Sequence, residues 1–389
     1  MASTRPQPAH IFPARTRAIS QGAAEWRDPD SRVRREARGA LARTPWSAPV
    51  IEAALSDVLT NVYEPTVAAM VERYGARPGF RALVVLPGNV IGPALASAYC
   101  AAVAGVRVIL KAAGDERELA AIVARQFDAL GEPLAGTVDA RYWAGGDRAV
   151  ELPVFGEVER VVAFGEDVTV ADIARRLPAG VEMKAYGSAY SVGYVAKTAD
   201  RSLAAAAAAR DICMFDQRGC MSPQTIYVAG AARHAQLFAH ALADALAAME
   251  SVLPRAPAGA EEATAVAARL RRLSLTAVAP MTHGLDTLIV GPEKNGCPQF
   301  AVAVEPYGLP SCAGFGRIVS VKPCPDAASF TDALGTALEK LDTVGIAQSL
   351  DMAEIAGRLS RTRVCSLGDM QRPPFGYRPR VADFSDCSR

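Results

Sequence analysis

Between Arg81 and Gly187, short apolar runs alternate with longer segments whose apolar residues recur every three or four positions. RALVVLP (81–87), VRVILKAA (106–113), TVDARYW (137–143), RVVAFG (160–165) and VEMKAYG (181–187) predict strands. PALASAYCAAVAG (93–105), VADIARRL (170–177) and DERELAAIVARQFDALG (115–131) predict helices, the last closed by a glycine. A second alternating series follows residue 220. It has strands at 225–230, 286–290, 300–305, 317–322, 343–347 and 363–368, and helices at 234–250, 261–272, 326–341 and 352–359. Upstream, residues 30–43 and 50–74 mix charged and apolar positions at helical spacing, with Pro45, Pro49 and Pro65 as punctuation. Residues 1–20 predict a disordered or loosely tethered end.

Strands alternating with helices imply βαβ units and parallel sheets. The expected fold class is therefore α/β. A helical N-terminal arm (1–75) precedes a first α/β unit (76–200). A second α/β unit (201–365) and an extended arm rich in Pro and Arg (366–389) follow. Ligands on such sheets bind beyond the carboxyl ends of the strands. Gly88-Asn89, Lys111, Gly165 and Gly187 fall at those ends, though a glycine there is also what an ordinary turn requires.

Composition narrows the function classes. A chain of 389 residues that is half hydrophobic, with a net charge of +1, reads as an ordinary globular protein. It lacks the concentrated basic face that nucleic-acid binding needs. The most apolar stretch, PALASAYCAAVAGVRVIL, is broken by Gly105 and Arg107, so no membrane span is expected. The first residues contain no apolar secretory core. Eight cysteines show neither C-x-x-C nor metal-type spacing with the four histidines, which argues against a zinc site and for free thiols in a reducing cytoplasm. Lysines are so few that Lys111, at a strand end, is more informative than usual.

The candidate chemistry centres on FDQRGCMSPQ (215–224), where Cys220 sits between a glycine and Met-Ser-Pro, after the alanine run SLAAAAAARDIC and before a strand. Packing is one reading of such a cysteine, and a nucleophile presented on a tight turn is the other. Cys220 lies near the junction of the two series, where a cleft is expected. Arg218 would lower the thiol pKa if it points inward, and Cys213 is a conceivable redox partner. His283, in PMTHGLD, reads as structural or solvent-exposed rather than catalytic.

Taken in order from Ala82 to Phe375, these segments resemble the aldehyde dehydrogenase superfamily, and within it the acyl-CoA reductase branch. ICMFDQRGCMSPQTIYV is similar to that branch's nucleophile segment. VVLPGNVIGPAL, VILKAAGDE and VVAFGEDVTVADIARRL resemble the oxyanion turn, the ribose-contacting strand end and the strand-turn-helix under the pyrophosphate. VEPYGLPSCAGFGRIVSVKP and RVCSLGDMQRPPF also match in order. The resemblance implies a Rossmann-type dinucleotide-binding domain over 76–200 and an α/β catalytic domain over 201–365, with Cys220 as nucleophile, Asn89 as oxyanion donor, and cofactor contacts at Lys111, Gly165, Gly187 and Glu305.

Two departures refine the implication. Aldehyde-oxidising members carry a Glu-Leu-Gly-Gly-Lys stretch whose glutamate activates water; here MKAYGSAYSV places Ala185 at that position. Without that base, an acyl-enzyme is not hydrolysed, as reduction requires. The position that would bind both ribose hydroxyls falls on Gly114, which implies NADPH, with Asp115 and Glu116 leaving NADH open. The implied activity is reduction of an acyl-CoA or acyl-carrier-protein thioester to an aldehyde. The alternatives are a CoA-acylating aldehyde dehydrogenase working oxidatively and a non-catalytic partner subunit. A homo-oligomer and a partner enzyme of a biosynthetic pathway are also implied. The chain is shorter than typical reductases of the branch, which points to a trimmed substrate loop or oligomerisation element.

Overall fold

The computed structural model describes residues 11–75, 79–277, 288–311, 315–347, 352–359 and 362–385. The chain divides into two compact units, one of Met1–Thr44, Ile51–Ser188 and Pro373–Arg389, the other of Pro45–Val50 and Ala189–Arg372.

Four helices lead the chain: α1 (Ile11–Arg27), α2 (Arg32–Leu41), α3 (Ala48–Asp57) and α4 (Glu64–Tyr74). Helix α1 begins inside the segment expected to be loose, because Ala18, Ile19, Ala23 and Trp26 share a face and are buried. Trp26 donates its indole N–H to Gln126 Oε1 at 2.6 Å, tying α1 to the strand-bearing part of the first unit. The buried Arg34 donates to the Trp26 carbonyl (2.8 Å) and to Glu52 (2.7 Å).

Strands and helices then alternate: β1 (Arg81–Val85), α5 (Pro93–Ala104), β2 (Arg107–Lys111), α6 (Arg117–Ala129), β3 (Val138–Arg141), α7 (Arg148–Phe155), β4 (Arg160–Phe164), α8 (Asp167–Arg176) and β5 (Glu182–Tyr186). Helix α5 is apolar all round because it is buried all round; Pro93 fits its first turn, and Gly105, at φ 72°, takes the left-handed position that ends it. The five strands form a parallel sheet in the order β3-β2-β1-β4-β5. Val85 pairs with both Lys111 and Ala163, and Ala163 with Ala185, so four strand ends lie level. The strand order reverses between β1 and β4, the point where such sheets take ligands. The chain returns to this unit at its end: Arg160 donates to the carbonyls of Asp383 (2.6 Å) and Ser385 (3.1 Å), and the Tyr186 hydroxyl bonds the Asp383 carboxylate.

The second unit contains β6 (Tyr190–Val195), α9 (Arg201–Cys213), β7 (Pro223–Ala229), α10 (Ala232–Met249), α11 (Ala260–Ala277), β8 (Leu288–Val290), a small hairpin of β9 (Glu293–Lys294) and β10 (Cys297–Pro298), β11 (Ala301–Val304), β12 (Ile318–Cys324), α12 (Ala327–Leu334), β13 (Leu341–Ala347), α13 (Met352–Arg358) and β14 (Arg363–Ser366). Seven strands form one sheet, β14-β13-β6-β7-β12-β11-β8, parallel except for the β8–β11 pair. Phe330 of α12 packs against Tyr194 and Tyr227 on one of its faces. The helix predicted over 326–341 stops at Leu334, because Gly335 leaves helical geometry at φ 46° and a 3-10 turn continues to Lys340.

Candidate active site

The segment leading to Cys220 is built by an unusual backbone. Helix α9 ends at Cys213, and Phe215, Asp216 and Gln217 then all adopt left-handed conformations, at φ 56°, 51° and 63°. Each such non-glycine residue costs about 1–3 kcal/mol and persists only where its surroundings over-determine it. Here they do. The Asp216 carboxylate accepts Arg317 Nε at 2.9 Å and the Ala256 N–H at 3.1 Å, and the Asp216 carbonyl accepts the Gly316 N–H at 3.1 Å. Gln217, fully buried, donates to the Pro223 carbonyl at 2.9 Å across the turn. Phe215 packs edge-on to Trp46.

Arg317 sits at the centre of this support, 1 % exposed. Besides Asp216 it donates to Glu250 Oε2 (2.9 Å) and to the Leu253 carbonyl (2.8 Å). Burial pushes the Asp216 carboxyl above its ordinary value, with Arg317 opposing. Cys220 itself follows Gly219 and is half-buried. Its carbonyl accepts the Ser191 hydroxyl at 2.7 Å, and Ser191 in turn accepts the Thr343 N–H at 3.1 Å. The thiol is thus carried on a turn fixed to β6 and β13.

The Arg218 guanidinium pairs with Glu262 at 2.5 Å and lies over Trp46. Cys213 is buried and its thiol is pushed up to about 12 by burial, so it is a core residue rather than a redox partner. His283 lies outside the described residues.

The other predicted site residues fall as follows. Asn89, exposed, follows β1; Lys111 ends β2; Gly165 follows β4; Gly187 follows β5. All four belong to the first unit and to the carboxyl edge of its sheet. Burial lowers the Lys111 pKa, with Glu151 opposing. Gly187 has a packing reason of its own: a Cβ there would collide with the Asp167 carboxylate, which accepts the Ser188 N–H at 2.8 Å. Glu305 lies in the second unit with Cys220, after β11. Burial raises its carboxyl, but the Ser311 hydroxyl at 2.6 Å, Ser320, Lys322 and Arg269 outweigh that and hold it below the ordinary range.

Sequence reading missed several residues that shape this region. Arg160 engages Glu182 (Nε to Oε2, 3.0 Å), and its guanidinium also holds the returning C-terminal segment. Arg117 opens α6 beside Gly114, donates to its carbonyl at 3.1 Å and stacks over Tyr142 with 4.6 Å between guanidinium carbon and ring centroid. Arg317 could have been found only by knowing that Asp216 needed a buried partner. Among the described residues no cluster of His, Cys, Asp or Glu could hold a metal ion. None of the described helices is long and apolar enough to cross a membrane.

A 3-2-1-4-5 parallel sheet joined to a larger sheet whose third and fourth strands flank a cysteine turn defines the aldehyde dehydrogenase fold. Solved structures agree. A benzaldehyde dehydrogenase from Corynebacterium glutamicum described as NAD-dependent superposes with a TM-score of 0.74 at 15% identity, covering 97% of this chain and 83% of that one. A 1-pyrroline-5-carboxylate dehydrogenase from Thermus, solved with bound NAD, gives 0.68 at 16% identity, covering 95% and 76%.

Within that fold the chain belongs to the acyl-CoA reductase (LuxC) family, whose sequence profile matches residues 71–378. It is 26% identical over 193 residues to the long-chain acyl-protein thioester reductase 2 of Photobacterium leiognathi, covering 49% of this chain and 40% of that protein. The long-chain acyl-protein thioester reductase of Photorhabdus laumondii matches to the same extent, 26% over 193 residues and the same coverage. The matched stretch thus spans well under half the length of these curated relatives.

Proposed function

We propose that the protein reduces an acyl thioester, CoA-bound or carrier-bound, to an aldehyde through an acyl-enzyme on Cys220. The Cys220 thiolate attacks the acyl carbonyl, and the CoA or carrier thiol leaves with a proton. The Cys220 N–H and the Asn89 side-chain amide donate to the oxyanion that forms in between. A bound NADPH would contribute hydride chemistry here, and Cys220 would leave the acyl carbon as thiolate when the aldehyde forms. Lys111, at the end of β2 beside the switch point of the first sheet, and Gly165, at the switch point itself, suit the ribose and pyrophosphate of a dinucleotide. Arg117, stacked on Tyr142 next to a Gly114 that carries no acid, suits a 2′-phosphate. Glu305, held ionised, is a further cofactor contact.

The observation that carries this reading is the turn at 215–220, three left-handed residues braced by a buried ion pair to present one half-buried thiol. A core cysteine needs no such support. The acidic group nearest in sequence to the water-activating position, Glu182, is committed to Arg160, which supports reduction over hydrolysis. The test is a single mixing experiment. Enzyme and acyl-CoA without reduced cofactor should give a burst of free CoA matched to active sites, then a slow phase with little free acid. Adding NADPH should release aldehyde. Cys220→Ala should abolish burst and aldehyde; a burst surviving in that variant rules out the assignment.

A further inference from the structure

Helix α9 carries Asp211, fully buried, two residues before its end. Its carboxylate faces no helical partner. Instead Oδ2 accepts the Gly368 N–H at 2.6 Å and Oδ1 the Met370 N–H at 3.1 Å, both from the segment after β14. That segment lies hard against α9: Gly368 has φ 97°, and a Cβ there would stand 3.2 Å from the Ala207 Cβ. The next side chain, Gln371, donates to the Asp211 carbonyl at 3.3 Å and to Ser222 Oγ at 2.7 Å. From the other side, Arg363 of β14 donates to the carbonyls of Met370 (2.7 Å), Asp369 (2.8 Å) and Arg372 (3.1 Å), and approaches Met221 Sδ at 3.8 Å. Gln371 of the segment thus holds Ser222, and Arg363 reaches Met221, the two residues that follow Cys220.

We infer that Asp211 is a positioning residue, latching the 368–371 segment so that Gln371 holds the turn carrying Cys220. The inference rests on the reading of Cys220 as nucleophile, but the latch has its own observable. Four features favour a dedicated latch over a passive core contact. The carboxylate is buried, its partners are backbone N–H groups rather than a cation, the segment needs a glycine to approach it, and the far end of the segment reaches the nucleophile turn.

The test uses the whole chain with Asp211→Asn and, because a buried substitution risks the fold, Gln371→Met at a partly exposed site. Hydrogen–deuterium exchange across 219–224 should quicken about tenfold in both, the loss of one hydrogen bond to or from a strongly held group. The CoA burst should slow to a similar degree, with unfolding midpoints near wild type in Gln371→Met. Unchanged exchange in a well-folded Gln371→Met overturns the latch. Faster exchange with an unchanged burst overturns the positioning role where Cys220→Ala abolishes the burst; where Cys220→Ala keeps the burst, the reading of Cys220 fails instead.

Discussion

Asp216 and Arg317, both in left-handed backbone conformations at φ 51° and 57°, are joined by a buried ion pair, Nε to Oδ1 at 2.9 Å. Each residue holds the other in a conformation that neither adopts readily alone. The pair links the nucleophile turn to the start of β12.

Arg317→Met should leave Asp216 buried without its principal cation and lower stability by about 3–5 kcal/mol. Asp216→Asn should cost less, since Asn tolerates left-handed backbone and Glu250 still faces Arg317. Urea unfolding of the two variants gives the order. If Asp216→Asn proves the more damaging, the pair is not what sets the turn.

Gly187→Ala should displace the Asp167 carboxylate from the Ser188 N–H, because the new Cβ occupies its place. The expected loss is about 1–3 kcal/mol. Thermal unfolding reads it; a neutral effect would show that Asp167 moves aside freely.

Arg117→Ala should raise the KM for NADPH about tenfold and leave that for NADH nearly unchanged, the signature of a lost charge-assisted contact to the 2′-phosphate. Equal effects on both cofactors would assign Arg117 to the packing of Tyr142.

Asn89→Ala should lower the acylation rate constant about 100- to 1,000-fold with little change in thioester affinity, because an oxyanion donor acts in the transition state. Asn89→Asp should be worse, with a carboxylate facing the developing charge. Stopped-flow CoA release distinguishes these from a plain binding defect, in which KM rises and turnover holds.

The periodic elements were legible because their burial matches their pattern. RALVV reads as a strand since it is buried on both faces, and PALASAYCAAVA as a helix capped by Gly105. What escaped had no such period. Strand β6 carries Ser191 and Gly193 amid its aromatic residues, and the glycine is there because Ile226 packs against it. Helix α9 follows an alanine run that favours helix by propensity but draws no amphipathic stripe. Within the candidate site, Cys220, Asn89 and Lys111 were visible as residue types at strand ends. Their support was not. Asp211 with Gly368, and Asp216 with Arg317, are 157 and 101 residues apart in sequence. Only the folded chain brings them into contact.

The return of the C-terminal segment to Arg160 and Tyr186 bears on the order in which this protein can be made. The first unit's sheet is complete in sequence by Tyr186, yet Asp383 and Ser385 belong to the same unit. At about 5–20 residues per second, a ribosome needs roughly 10–40 s to synthesise the intervening chain. During that interval Arg160 lacks the two carbonyls that later receive it, and the Tyr186 hydroxyl lacks its carboxylate. The first unit, whose sheet precedes the second unit in the chain, is therefore closed only after the second has been translated. Arrested nascent chains should gain protease resistance in the first unit only once Ser385 has left the ribosome.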